Sequence, residues 1–163
     1  RNALRWRNFI IEARMLGRAE VDCDVRPASD GSLALVAELA AIFAPTPGEP
    51  RCVQAPGEPE HIGFWTNPRA KAVWLARVER PGKYQVLVEQ ACEAGVAGSE
   101  YQLCLGDAVL QGSVEPTPSW RQYAAVHQGS VQLTAGTVRV VLSPLNLRRG
   151  AFMNVRGVRL VPA

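Results

Sequence analysis

The sequence predicts an all-β chain, a β-sandwich or jelly roll of antiparallel strands, and three observations carry that expectation. From Lys71 onward the chain breaks into short runs with period-2 alternation. Val138, Val140 and Leu142 share one face, and Tyr84, Val86 and Val88 share another. Pro-Gly, Gly-Ser, Gly-Asp and Ala-Gly pairs punctuate these runs at intervals of about 8–12 residues, the spacing of sandwich strands rather than of βαβ units. No stretch of this region repeats its apolar residues at the helical period.

Strands are expected over 72–79, 83–92, 100–105, 108–115, 120–127, 130–134, 137–143 and 152–161. Residues 31–43 fit helix and strand periods alike. The Asp30-Gly31 turn and the Leu33/Leu35 alternation make the first half a strand. The stretch 44–61 carries Pro45, Pro47, Pro50, Pro56 and Pro59, so it can be neither a central strand nor a helix interior; a long surface loop is expected. In the first 20 residues, Leu4, Trp6, Phe9, Ile10, Ile11, Met15 and Leu16 are apolar without a clean period. They fit an extra strand, the last strand of a preceding domain, or a docking helix. The chain thus divides into an N-terminal extension, 1–30, and a sandwich, 31–163, without internal repeat.

A length of 163 residues suits one domain with its own core, and 47% hydrophobic with 20% charged residues describes a soluble globular chain. No apolar run approaches the ~20 residues of a membrane span. The net charge of +3, from 18 Lys+Arg against 15 Asp+Glu, is too small to imply nucleic acid. Neither a membrane nor a nucleic acid is an expected partner. The chain opens at Arg1 without Met and reads as a fragment or processed product. None of Cys23, Cys52, Cys92 and Cys104 shows C-x-x-C spacing, which argues against zinc. Cys92 and Cys104 flank the Gly-rich turn 93–100 and could face each other across a hairpin; buried free thiols are the alternative.

Catalytic signals are weak. His61 and His127 belong to no nucleophile motif, Glu58-x-Glu60-His61 reads as solvated charge in a Pro-rich loop, and Gly95–Ser99 reads as a hairpin turn rather than a phosphate loop. No catalytic residue and no cofactor is expected. The informative constellation is Trp65, Trp120 and Asn154, each at a loop-to-strand junction. Sugar C–H bonds lie on the negative face of an indole, and an amide reads hydroxyls. A sandwich that gathers its loops at one end would bring these residues together. Trp74, in mid-strand, is expected in the core.

From Ala37 onward a string of landmarks appears in order. They are Ala37-Glu38, Gly63-Phe64-Trp65, Val73-Trp74-Leu75-Ala76-Arg77-Val78 with Pro81-Gly82-Lys83-Tyr84, Thr117-Pro118-Ser119-Trp120, Leu133-Thr134-Ala135-Gly136 and Met153-Asn154-Val155. In this order the chain resembles a family 6-type carbohydrate-binding module, a galactose-binding-like jelly roll of the kind attached to secreted glycosidases and sulfatases. The resemblance implies a non-catalytic module that tethers a larger exported protein to an oligo- or polysaccharide, with an extracellular or periplasmic location and a neighbouring catalytic domain. It assigns the two aromatics of the sugar cleft to Trp65 and Trp120, the amide to Asn154 and an acidic group to Glu38. The alternative is a jelly roll that packs on a neighbouring domain without binding sugar. Three positions depart from the pattern: Pro118 stands for Gly, Lys71 for a strand-opening Trp, and Arg156 for an Asp that helps hold calcium. A guanidinium cannot ligate a cation, so no metal is expected, and an Arg156–Glu38 ion pair is expected in its place. The arginines of Leu145-Asn146-Leu147-Arg148-Arg149-Gly150 are expected to overhang the cleft, where Arg148 or Arg149 would favour an anionic sugar.

Overall fold

Five consecutive residues, Ala72–Ala76, are buried, which requires a strand covered on both faces. The computed structural model describes residues 25–45 and 49–163, and that strand is an interior strand of one of its two sheets. In chain order the elements are β1 (Leu33–Val36), a 3₁₀ turn (Ala37–Leu39), β2 (Ala41–Phe43), β3 (Arg51–Val53), β4 (His61–Gly63), β5 (Lys71–Val78), β6 (Gly82–Ala91), β7 (Glu100–Leu105), β8 (Ala108–Ser113), β9 (Ala124–Leu133), β10 (Gly136–Pro144) and β11 (Asn154–Pro162). One sheet runs β2-β5-β10-β7-β8; the other runs β3-β4-β11-β6-β9, with β1 also pairing β11. Every strand pair is antiparallel. The chain is an all-β sandwich of jelly-roll type.

Alternation puts one row of each strand inside. Tyr84, Val86 and Val88 of β6 face Trp74 of β5, Leu103 of β7, Val140 and Leu142 of β10, and Phe152 in a single core. Burying an indole or a phenol requires a partner for its polar atom. Trp74 Nε1 donates to the Val36 carbonyl at 2.9 Å, and the Tyr84 hydroxyl donates to the Arg80 carbonyl at 2.7 Å. Trp74 is therefore core, as its mid-strand position predicts. Val73, Leu75 and Val141 point to the other face and form a second apolar cluster with Ala41 on the outside of the five-stranded sheet.

Four expectations change. The runs 120–127 and 130–134 are one strand, β9, starting at Ala124; the Gln128-Gly129 step is a bulge against Val86/Leu87, with Gly129 at φ 132°, not a turn. The stretch 44–61 is not loop throughout. Its Arg51–Val53 segment pairs with β4 as an edge strand, the place where flanking prolines are tolerated. In 31–43, the 3₁₀ turn carries the chain from β1 in one sheet to β2 in the other, which explains its mixed period. The hairpin linking Cys92 and Cys104 does not exist, because β6 and β7 belong to different sheets. Cys92 and Cys104 are free thiols, the Cys52 thiol donates to the Ala37 carbonyl at 3.4 Å, and burial pushes the Cys92 thiol up to about 11. Cys23 and the apolar residues of 1–20 lie outside the described residues. Within the extension expected over 1–30, Val25 is buried and bridges Ala76 of β5.

Candidate functional site

Trp65, Trp120 and Asn154, drawn from three distant parts of the chain, line one cavity of about 400 Å³, together with Val53, His61, Phe64, Thr66 and residues 151–153. Each is set there by local bonding. The Thr117 hydroxyl accepts from Cys92 N–H at 2.9 Å and donates to the Ser119 carbonyl at 2.9 Å, which fixes the turn that presents half-buried Trp120. Asn154 opens β11, and its Nδ2 donates to the Trp120 carbonyl at 2.9 Å. That bond orients the amide, leaving Oδ1 as an acceptor toward Gly63.

Trp65 is a wall rather than a platform. It is 2% exposed, its Nε1 donates to the Asn67 carbonyl at 3.1 Å, and its ring meets Phe152 edge-on at 5.0 Å. The exposed aromatic is its neighbour. Phe64 is 51% exposed and holds φ at 53°, a conformation uncommon for any residue but Gly and often found where a side chain is aimed for function. The Gly63-Phe64-Trp65 landmark pointed to this spot, but sequence attention went to the indole. His61 is a further lining residue that its charged, Pro-rich surroundings in the sequence did not mark as part of a site. Strand pairing with Val53 puts it on the pocket side of β4.

Charge gathers beside His61. Arg156 lies 3.8 Å over the Tyr123 ring, 3.8 Å from Glu58 and 3.9 Å from Glu89, and Glu58 also pairs with Arg121. The Arg121 hydrogen bond is the main cause holding the Glu58 carboxyl below its ordinary value. Burial, then Arg156, holds the His61 imidazole below its ordinary value against an opposing pull from Glu58. Burial pushes the Tyr123 phenol up to about 12. The carboxylates that meet Arg156 are thus Glu58 and Glu89, while the expected partner, Glu38, sits exposed on the 3₁₀ turn. The calcium site implied by the resemblance does not fit these residues, since the needed oxygen ligand is a guanidinium stacked on Tyr123.

Arg148 and Arg149 are not lining residues. Both lie on the 95–98 turn: Arg149 donates to the Gly95 carbonyl at 2.8 Å, and Arg148 packs so closely on Gly98 that a β-carbon there would stand 3.0 Å from its guanidinium. A second, larger groove of about 730 Å³ lies on the outside of the five-stranded sheet, with Val73 and Val141 at its base, and has no tryptophan in its lining.

No family model matches the chain, and no curated protein matches it in sequence. Solved structures do. The chain is similar to the C-terminal family 6 carbohydrate-binding module of a marine laminarinase from Zobellia galactanivorans, at 20% identity and TM-score 0.64 over 80% of this chain and 98% of that one. A family 35 carbohydrate-binding module from Clostridium thermocellum is similar at 12% identity and TM-score 0.66, over 81% of this chain and 98% of that one. A family 6 module from Clostridium stercorarium in complex with cellobiose is similar at 20% identity and TM-score 0.58, over 80% of this chain and 93% of that one. The fold is that of family 6 and family 35 carbohydrate-binding modules.

Proposed function

We propose that this chain is a non-catalytic sugar-binding module whose ligand ring occupies the cavity between Phe64 and Trp120. Trp65 backs the pocket, and Asn154 and His61 read hydroxyls at its floor. The carrying observation is the convergence of two aromatics and an oriented amide, from residues 64, 120 and 154, on one open cavity. Phe64 favours this over a purely structural jelly roll, because a packing residue would not hold a phenyl ring half in solvent. The module tethers a larger exported protein, a glycosidase or sulfatase, to a polysaccharide outside the cytoplasm, raising local concentration without chemistry of its own. Glu38, Arg148 and Arg149 are exposed and do not line this cavity, so this reading assigns them no sugar contact.

A shallow site of this kind gives a dissociation constant on the order of 0.1–1 mM for a short oligosaccharide. The test is a glycan panel read by intrinsic tryptophan fluorescence, with wild type and Trp120→Ala. Saturable quenching or enhancement by at least one saccharide, lost in Trp120→Ala with an unchanged melting temperature, is the expected result. Binding that survives Trp120→Ala would move the site elsewhere.

A further inference from the structure

Resting on that reading of the cavity, we propose that Arg51 selects saccharides carrying a carboxylate or sulfate group at the Phe64 side of the pocket. The guanidinium carbon of Arg51 stands 4.3 Å from the centroid of the Phe64 ring, and Phe64 lines the cavity. Arg51 and Val53 occupy alternate positions of β3, so they share a face, and Val53 is itself a lining residue. Both the strand and the aromatic contact therefore hold the cation on the cavity side of the sheet.

Its bonding leaves it able to take an anion. Contact with the face of an aromatic ring fixes a guanidinium without spending any of its five N–H donors on an acceptor. The other arginines near the cavity are committed: Arg121 to Glu58, and Arg156 to Glu58 and Glu89. Among the described residues no carboxylate stands within ion-pair distance of Arg51. Glu49, the acid at this rim, accepts a hydrogen bond from Thr66 at 3.1 Å instead. A planar guanidinium with free donors matches a carboxylate or sulfate bidentately, which a neutral hydroxyl cannot do.

The test uses two matched pairs of probes in titration calorimetry: an oligogalacturonide with its methyl ester, and a sulfated galactan oligosaccharide with its desulfated form. In wild type the acidic member of one pair is expected to bind about tenfold tighter than its neutral partner, and the pair that shows this names the acid. The preference should fall to about onefold in Arg51→Gln and persist in Arg77→Gln, which loses the same charge on the other sheet. It should also weaken at high salt. Equal binding of acidic and neutral members, still abolished by Trp120→Ala, overturns the role of Arg51 and leaves the sugar site standing. A preference lost equally in Arg77→Gln overturns it too, as bulk charge. No saturable binding of any of the four probes overturns the role of Arg51, and the glycan panel then decides the sugar site separately.

Discussion

A β-carbon at Gly63 would stand 3.1 Å from His61 Nε2 and 3.2 Å from Asn154 Oδ1, tighter than these groups tolerate without moving. Both polar atoms therefore close over the one residue that has nothing to interpose, and the floor of the cavity is polar because Gly63 is bare. Its φ is unexceptional, so alanine meets no backbone penalty there. Gly63→Ala is expected to displace one of the two groups and weaken saccharide binding about 3–10-fold, the worth of one hydrogen bond of about 0.5–1.5 kcal/mol. The fold should survive. Titration calorimetry beside a melting curve checks this, and unchanged affinity would remove His61 and Asn154 from the floor. Phe64 teaches the complementary lesson at this scale. Its neighbour Trp65 has the larger ring, yet a single positive φ leaves the phenyl in solvent and the indole inside.

At the scale of elements, β11 organises the site. It is flanked by β6 on one edge and by β1 and β4 on the other, and it starts at Asn154. Its tight point is Gly157, opposite Val36: a β-carbon there would lie 2.3 Å from the Leu35 carbonyl oxygen, a backbone atom that cannot swing away. Gly157→Ala must separate β1 from β11 and is expected to cost about 1–3 kcal/mol, the usual penalty of overpacking. Gly95→Ala serves as the comparison, since a β-carbon at Gly95 meets nothing within 4 Å. Urea unfolding of both variants reads the difference, and equal midpoints would contradict the close β1–β11 packing.

For the whole molecule, the perturbed ionisable groups around the site set a pH dependence of stability. His61 is held below its ordinary 6.5 by burial and by Arg156, with Glu58 opposing, and Tyr123 and Asn154 are the neighbouring polar groups. A depressed imidazole means the unfolded chain takes up its proton first as pH falls. The folded state therefore loses stability from about pH 6.5 downward, by at most about 1.4 kcal/mol per pH unit for one proton. Glu58 is depressed below 4.5, mainly by Arg121, so its contribution is present at neutral pH and fades only below that value. The window between 6.5 and 4.5 thus reports His61. Melting temperatures across pH 7.5 to 5 should fall more steeply in wild type than in His61→Gln; parallel curves would show that His61 titrates normally.

The sequence by itself determined the sandwich and most of its strands, because alternation along a half-buried strand is a local signal. Tyr84, Val86 and Val88 announce β6 regardless of what they pack on. It also picked out Trp120 and Asn154, whose residue types are informative wherever they fall. Only the tertiary structure decided which sheet each strand joins. That is why a turn between Cys92 and Cys104 that reads as a hairpin crosses between sheets instead, and why Gly129 is a bulge. It alone decided which aromatic faces the cavity, a matter of one backbone angle at Phe64, and which acids surround Arg156. Partners such as Glu58 and Glu89 come from elements 98 and 67 residues away in sequence, and no local pattern records a contact made across a sheet.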